Sequence, residues 1–250
     1  MCSISWQWDF SHQENSNLLS VWFNRDERRQ RPIATSPSLY SSDGIEILMP
    51  TDPVAGGSWI AANKSGLVIA LLNYYQAIPQ ANVRYRSRGL LVRSLSLAGS
   101  YQKARSLLDE LVHSNQETKF AAFTLFFFDV STAQTHAIRW DEKTLSEIEL
   151  TKTFFSSSSW NSQEVLAFRD QQFEELVTSG KMKNSDYHRH TFPDKDAFTA
   201  FMSRPETQTV SITEIIATKN SLTMDYEDRN TGVSSSNHLP LHIPPAASSH

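Results

Sequence analysis

One cysteine in a chain of 250 residues cannot close an internal disulfide, which fits a reducing compartment. Glycine is also scarce, at eight residues, so each one present is a candidate for a special backbone position. No apolar run approaches the roughly 18–20 residues that a membrane-crossing helix requires. The longest, Gly66–Leu72 and Phe120–Val130, read as buried strands. A basic excess is missing as well: the net charge is −4, which points away from nucleic acid and anionic membranes as partners. The first residues hold no basic segment leading into an apolar stretch, so no secretory signal is expected and the expected location is cytoplasmic. CxxC, CxxCH and HExxH are all absent, which excludes c-type haem attachment and a zincin centre.

What is present begins with alternation. Cys2, Ile4, Trp6 and Trp8 alternate with Ser3, Ser5, Gln7 and Asp9, which puts the cysteine on the apolar face of a first strand. A second strand over Leu18–Asn24 runs into the charged "NRDERRQRP", and pairing the two would bring Asn24 and its neighbours back to Cys2. Pro32–Gly57 is rich in Pro, Ser and Asp and reads as a long loop closed by "GGSW". "SWIAANKSGLVIALLNYY" gives two strands around an Asn-Lys-Ser-Gly turn. Helical spacing follows from Ser87 and again in "YQKARSLLDELVHSN", then a strand pair in "FAAFTLFFFDV" and "THAIRW". Gln163–Gly180 reads as a helix, Asp194 as the cap of a short helix through Phe201, and "TVSITEIIATKNSLTMDY" as a hairpin. The Ser/Pro/His-rich 231–250 reads as a flexible tail after one domain over 1–230. Runs of strands, then helices, then strands imply an α+β fold with helical layers on antiparallel sheets.

Cys2 is the residue with chemistry to offer. A small second residue predicts removal of Met1, leaving a cysteine whose own α-amine, with an ordinary pKa of ~7.7–8, can take the thiol proton. Arg25 can favour the thiolate, Asp26 can hold the ammonium or orient a substrate, and Asn73 can serve an oxyanion. Against this stands the plainer role of a small buried residue. Asp26, at the end of a buried strand, is expected to pair with Arg25 or the terminal ammonium. Two imidazoles in "HRH" at 188–190 have spacing suited to a metal on an extended chain, but a solvated loop explains them more simply, and no metal site is assigned. Gly56–Gly57 suits a tight turn or close approach to a ligand, and Trp59 suits a pocket wall or the core.

Taken in order, "MC" at the start, "NRDE" at 24–27, "GGSW" at 56–59, "GLVIALLNYY" at 66–75 and "SRGLLV" at 87–92 resemble the NRDE family, also called transport and Golgi organization protein 2-like. The resemblance covers about 1–230. It implies a four-layer αββα sandwich of the N-terminal nucleophile hydrolase type, similar to choloylglycine hydrolases and penicillin acylases. By that likeness Cys2 is the nucleophile, Arg25 and Asp26 assist it, and the backbone N–H of Asn73 helps form the oxyanion hole. Asn24, Arg25, Asp26, Glu27, Gly57, Trp59 and Asn73 become the ligand-binding set. Two departures stand out. Arg25 and Asp26 are adjacent where the hydrolases separate them, and Ser156–Ser159 occupies the place of a second oxyanion asparagine. For the family itself the resemblance implies haem trafficking, with haem as cargo, haem-accepting proteins as partners and acyl-CoA as a further ligand. The alternative it implies is a cofactor-free cysteine amidohydrolase or acyltransferase acting on a small amide or acyl thioester.

Overall fold

The computed structural model describes residues 2–10, 17–78, 80–114 and 117–243. Along the chain come β1 (Cys2–Trp8), β2 (Leu19–Arg28), β3 (Thr35–Ser42), β4 (Ile45–Thr51), β5 (Ile60–Asn63), β6 (Leu67–Asn73) and β7 (Arg84–Arg86). Helices α1 (Gly89–Leu95) and α2 (Tyr101–His113) follow, then β8 (Thr118–Phe120), β9 (Phe123–Asp129), β10 (Gln134–Trp140), β11 (Leu145–Glu147) and β12 (Phe154–Ser157). The chain continues through α3 (Ser162–Phe173), α4 (Asn184–Tyr187), β13 (Thr207–Ala217), β14 (Ser221–Asp228) and β15 (Ser234–Pro240). One sheet has the order β12-β1-β2-β13-β14-β15 and the other β11-β10-β9-β6-β5-β4-β3, every pairing within them being antiparallel.

Alternation explains the layering. Cys2, Ile4, Trp6, Val21 and Phe23 on one sheet meet Val68, Ala70, Phe126 and Phe128 on the other, forming the core between the sheets. The opposite face of the second sheet carries Leu67, Ile69, Phe123, Leu125 and Phe127 against Leu91, Leu95 and Leu108 of α1 and α2. Beneath α3 and α4 a smaller cluster joins Phe154, Phe173, Tyr187 and Ala200. The result is the αββα order implied by the family resemblance. The helical layer lies over the β1 part of the first sheet, so Ser3 and Ser5, which sequence alternation sets opposite the apolar face, are fully buried under α3 and α4.

Several local expectations are corrected. Pro32–Gly57 is largely a hairpin, because Asp43 (φ 51°) and Gly44 (φ 75°) make the left-handed two-residue turn that links β3 to β4. Segment 234–240 of the expected flexible tail is an edge strand paired with β14, while 244–250 lies outside the described residues. Asp194 caps no helix and sits at φ 58° in a run of turns. The expected helix over Gln163–Gly180 is α3 continued by a π-helical turn over Glu174–Thr178.

Candidate functional site

The register of β1 against β2 sets Cys2 opposite Arg25, and on its other side Cys2 faces Ser157 of β12. The main-chain N–H of Cys2 donates to Ser157 Oγ at 3.1 Å. Arg25 is 6% exposed and its guanidinium lies 4.2 Å above the Trp59 ring. Its Nη2 reaches Asp52 Oδ2 at 3.0 Å and Glu27 Oε2 at 3.6 Å. Arg31 shares the same two carboxylates, at 2.6 Å from Asp52 and 3.4 Å from Glu27. Two guanidiniums and two carboxylates therefore lock one wall in place.

The facing wall is built where the chain enters α1. A Cβ on Gly57 would come within 2.4 Å of the Gly89 carbonyl carbon, so only glycine lets the two backbones cross there, sealed by Ser58 N–H donating to Gly89 O at 3.0 Å. Arg88 follows from this crossing, its Nη1 donating to Ala122 O at 2.8 Å. Arg86 lies 3.9 Å over Phe120. Glu142 gathers Tyr85 OH (2.5 Å) and the Gln80 N–H (3.3 Å), fixing the segment that carries both arginines. Asn73 closes the floor. Leu71 N–H bonds Trp59 O on the β5 side and Tyr74 N–H bonds Ala122 O on the β9 side. By strand alternation the Asn73 N–H is turned to the β5 side, past the residue where that strand begins.

Between these walls lies a cleft of about 470 Å³ bordered by Cys2, Arg25, Glu27, Arg31, Asp52, Gly57, Trp59, Asn73, Tyr75, Tyr85, Arg86 and Arg88, with Asp26 touching its edge. Of the residues expected to bind a ligand, Arg25, Glu27, Gly57, Trp59 and Asn73 border the cleft, whereas the side chains of Asn24 and Asp26 do not. The Asn24 side chain points through the sheet instead. Its Nδ2 donates to the carbonyl oxygens of His188 (2.8 Å) and Ala200 (2.9 Å), and its Oδ1 accepts from His188 Nδ1 at 2.8 Å. Because Nδ1 carries the hydrogen, Nε2 is the acceptor for Ser5 Oγ–H at 2.8 Å. His188 is therefore no solvated-loop residue: it is fully buried and neutral, its pKa pushed down to about 3 by burial and by the nearby Arg189 and Arg169.

Asp26 follows Asn24 to that face. Of the two partners expected for Asp26, Arg25 is excluded, because successive strand residues point to opposite sides, and the terminal ammonium belongs to Met1, which lies outside the described residues. Asp26 Oδ1 instead accepts from Thr209 Oγ1 at 2.7 Å, and Oδ2 lies 3.7 Å from Arg169 Nη2, both side chains being fully buried. Arg169 also donates to Ser3 Oγ at 3.1 Å and to Phe198 O at 2.9 Å. Burial raises the Asp26 carboxyl above its ordinary range, with Arg169 opposing. With Met1 attached, the Cys2 nitrogen is an amide, and burial raises the thiol above its ordinary range against the opposing pull of the terminal ammonium and of Arg25. Among the described residues no group of three His, Cys, Asp or Glu side chains is placed to hold a metal ion, and no helix is long and apolar enough to cross a membrane.

The family model for transport and Golgi organisation 2 matches residues 1–231. The chain belongs to that family. Solved structures with the same fold include two variants of the conjugated bile acid hydrolase from Clostridium perfringens, each 8% identical. One aligns over 98% of this chain and 97% of its own with a TM-score of 0.53, the other over 98% and 100% with 0.54. The N-acylethanolamine-hydrolyzing acid amidase ortholog of Caenorhabditis elegans is 12% identical over 86% and 92%, with a TM-score of 0.50. These likenesses establish an N-terminal nucleophile hydrolase fold for this family member. No curated protein sequence matches the chain.

Sequence reasoning missed Asp52, Arg86 and Arg88 as parts of the cleft. A signal existed for two of them: Arg88 stands inside the family motif "SRGLLV" and Arg86 two residues before it. Asp52 was hidden by reading its surroundings as loop. Arg169 carries no local signal, and the "HRH" spacing does not show the buried role of His188, because only the tertiary fold lays their helical layer over β1 and β2.

Proposed function

We propose that the cleft is the site of an N-terminal-cysteine acyl hydrolase or acyltransferase that takes a small amide or acyl thioester bearing an anionic group. One observation carries this reading: Cys2 borders the cleft beside Arg25, with its nitrogen held by Ser157 Oγ. Once Met1 is removed, that nitrogen is an amine already anchored next to the thiol. It takes the thiol proton, and the sulfur attacks the acyl carbon while the carbonyl π electrons move to oxygen. The Asn73 N–H is directed to the side where that oxyanion would form. Collapse of the intermediate breaks the bond to the leaving nitrogen or sulfur, which receives the proton from the Cys2 ammonium. Water or an acceptor then releases the acyl group from Cys2. Arg86 and Arg88 offer charge to an anionic part of the substrate, since Arg25 and Arg31 are already shared between Asp52 and Glu27.

Haem carriage is the second reading, favoured by arginines standing beside the flat aromatic faces of Trp59 and Phe120. It ranks lower because seven of the residues bordering the cleft are charged, which leaves little apolar wall for a macrocycle. The test uses protein beginning at Cys2, challenged with short acyl thioesters and amides and, in parallel, titrated with haem. An acyl group trapped on Cys2 by mass spectrometry, absent from Cys2→Ala and weakened in Arg88→Gln, supports the first reading. Stoichiometric haem binding without any acyl adduct reverses the ranking.

A further inference from the structure

A second space opens on the other side of Asn73, at the β12 edge of the sandwich, with a volume of about 200 Å³. Its apolar walls are Leu72, Phe126, Phe155 and Leu166, and Arg139 and Lys152 stand beside them. Size limits the occupant: a cavity of about 150 Å³ takes a benzene-sized body, so one aromatic ring or a short chain with a polar group fits here.

Charge selects within that class. Lys152 is neutralised by Asp170 at 2.5 Å, which removes both from the balance. Arg139 is not neutralised. Its guanidinium lies 4.2 Å over the Tyr74 ring, and its only hydrogen bond runs from Nε to Thr124 Oγ1 at 3.4 Å, so among the described residues its two terminal nitrogens have no acceptor. A planar fork that stands at the rim of an apolar recess with no protein acceptor on its terminal nitrogens matches a carboxylate, which it can bind through two parallel hydrogen bonds. We infer that this recess is a second ligand site for a compact monocarboxylate with an aromatic or short aliphatic body, held by Arg139. The inference stands independently of any chemistry at Cys2. Asn73 borders both spaces, so an occupant would lie against the end of the strand that floors the main cleft.

The test titrates the full chain with benzoate, hexanoate and benzamide, following amide NMR shifts and heat. Saturable one-to-one binding of benzoate or hexanoate, with benzamide weaker by roughly tenfold, is the expected result for a charge-assisted pair. Arg139→Gln should weaken benzoate by a similar factor, Leu166→Trp should fill the recess and abolish binding, and Arg88→Gln, in the other cleft, should leave benzoate affinity at this recess as it is. If Arg139→Gln lowers the melting temperature, Arg139→Lys, which keeps the charge but loses the fork, replaces it and should fall in between. No saturable binding, equal affinity for benzamide, or loss in Arg88→Gln with retention in Arg139→Gln would each overturn the site.

Discussion

Arg25 and Asp26 are neighbours in sequence and belong to different layers of the protein: Arg25 lies 3.0 Å from Asp52 in the cleft, while Asp26 lies 3.7 Å from Arg169 beneath α3. The same division runs through the whole NRDE segment. Asn24 and Asp26 fasten the helical layer to β2, whereas Arg25 and Glu27 shape the ligand wall. Variants of alternate residues should therefore fail in different ways.

Asp26→Ala leaves Arg169 buried without its carboxylate, and breaking one side of a buried pair costs about 3–5 kcal/mol. A loss of that size in urea unfolding is expected. Arg169→Leu alone should be comparably damaging. The double variant should lose clearly less than the sum, because the two charges disappear together. Strictly additive losses would show that the pair is not coupled.

His188 sets a pH dependence. Its native pKa is about 3 against an ordinary value of 6.5, so below pH 6.5 the unfolded chain binds a proton that the folded one refuses. Stability supplied by the neutral imidazole is complete above pH 6.5 and is lost as pH falls towards 3, at up to ~1.4 kcal/mol per pH unit. His188→Gln should be less stable at pH 7 yet show a flatter decline to pH 5. Asp26, raised by burial, works in the opposite sense above its ordinary range, but it is common to both proteins and cancels in the difference. Parallel pH profiles would remove His188 from this role.

How legible this architecture is in the sequence depends on which neighbour decides a residue's role. The period of two in β1 reveals the Cys2 face because Ile4 and Trp6 share it, and the pairing of β1 with β2 follows from their proximity along the chain. Ser3 and Ser5 look like an exposed face only because nothing nearby announces that α3 and α4, more than 150 residues on, cover them. The charged "NRDE" reads as a turn for the same reason. Its partners Asp52, Arg169, His188 and Thr209 come from four separate segments, and a charge is satisfied by whatever the fold delivers. The Asp43-Gly44 turn was readable, being a left-handed hairpin dipeptide between alternating residues, and the surrounding Pro and Ser masked it.

Gly57 and Gly44 should respond differently to alanine. At Gly57 the added methyl meets the Gly89 and Leu90 backbone at 2.4–2.7 Å, and the start of α1 cannot yield that space cheaply. A loss of about 1–3 kcal/mol or more is expected, with the arginine-bearing wall displaced and ligand affinity reduced. At Gly44 nothing lies within 4 Å and the cost is confined to its φ of +75°, about 1 kcal/mol. Equal melting temperatures for the two variants would contradict the crossing as the element that builds the wall.

The reactivity of Cys2 should depend on the residue before it. With Met1 attached, the nitrogen is an amide donating to Ser157, and burial keeps the thiol protonated at neutral pH, so alkylation by iodoacetamide should be slow. A chain beginning at Cys2 carries an amine at the same position, close enough to accept the thiol proton and, once charged, to stabilise the thiolate. Its alkylation at pH 7.5 should be faster by roughly tenfold, the effect of a shift of about one unit in thiol pKa. Ser157→Ala removes the acceptor that orients this amine without adding bulk. It should therefore cost acylation of Cys2 more than it costs simple alkylation, since alkylation needs only the thiolate whereas acyl transfer also needs the amine aligned with the leaving group. Equal alkylation rates in the Met1-bearing and Cys2-first forms would mean that the amine does not act on the thiol, and the acyl-transfer reading would lose its base.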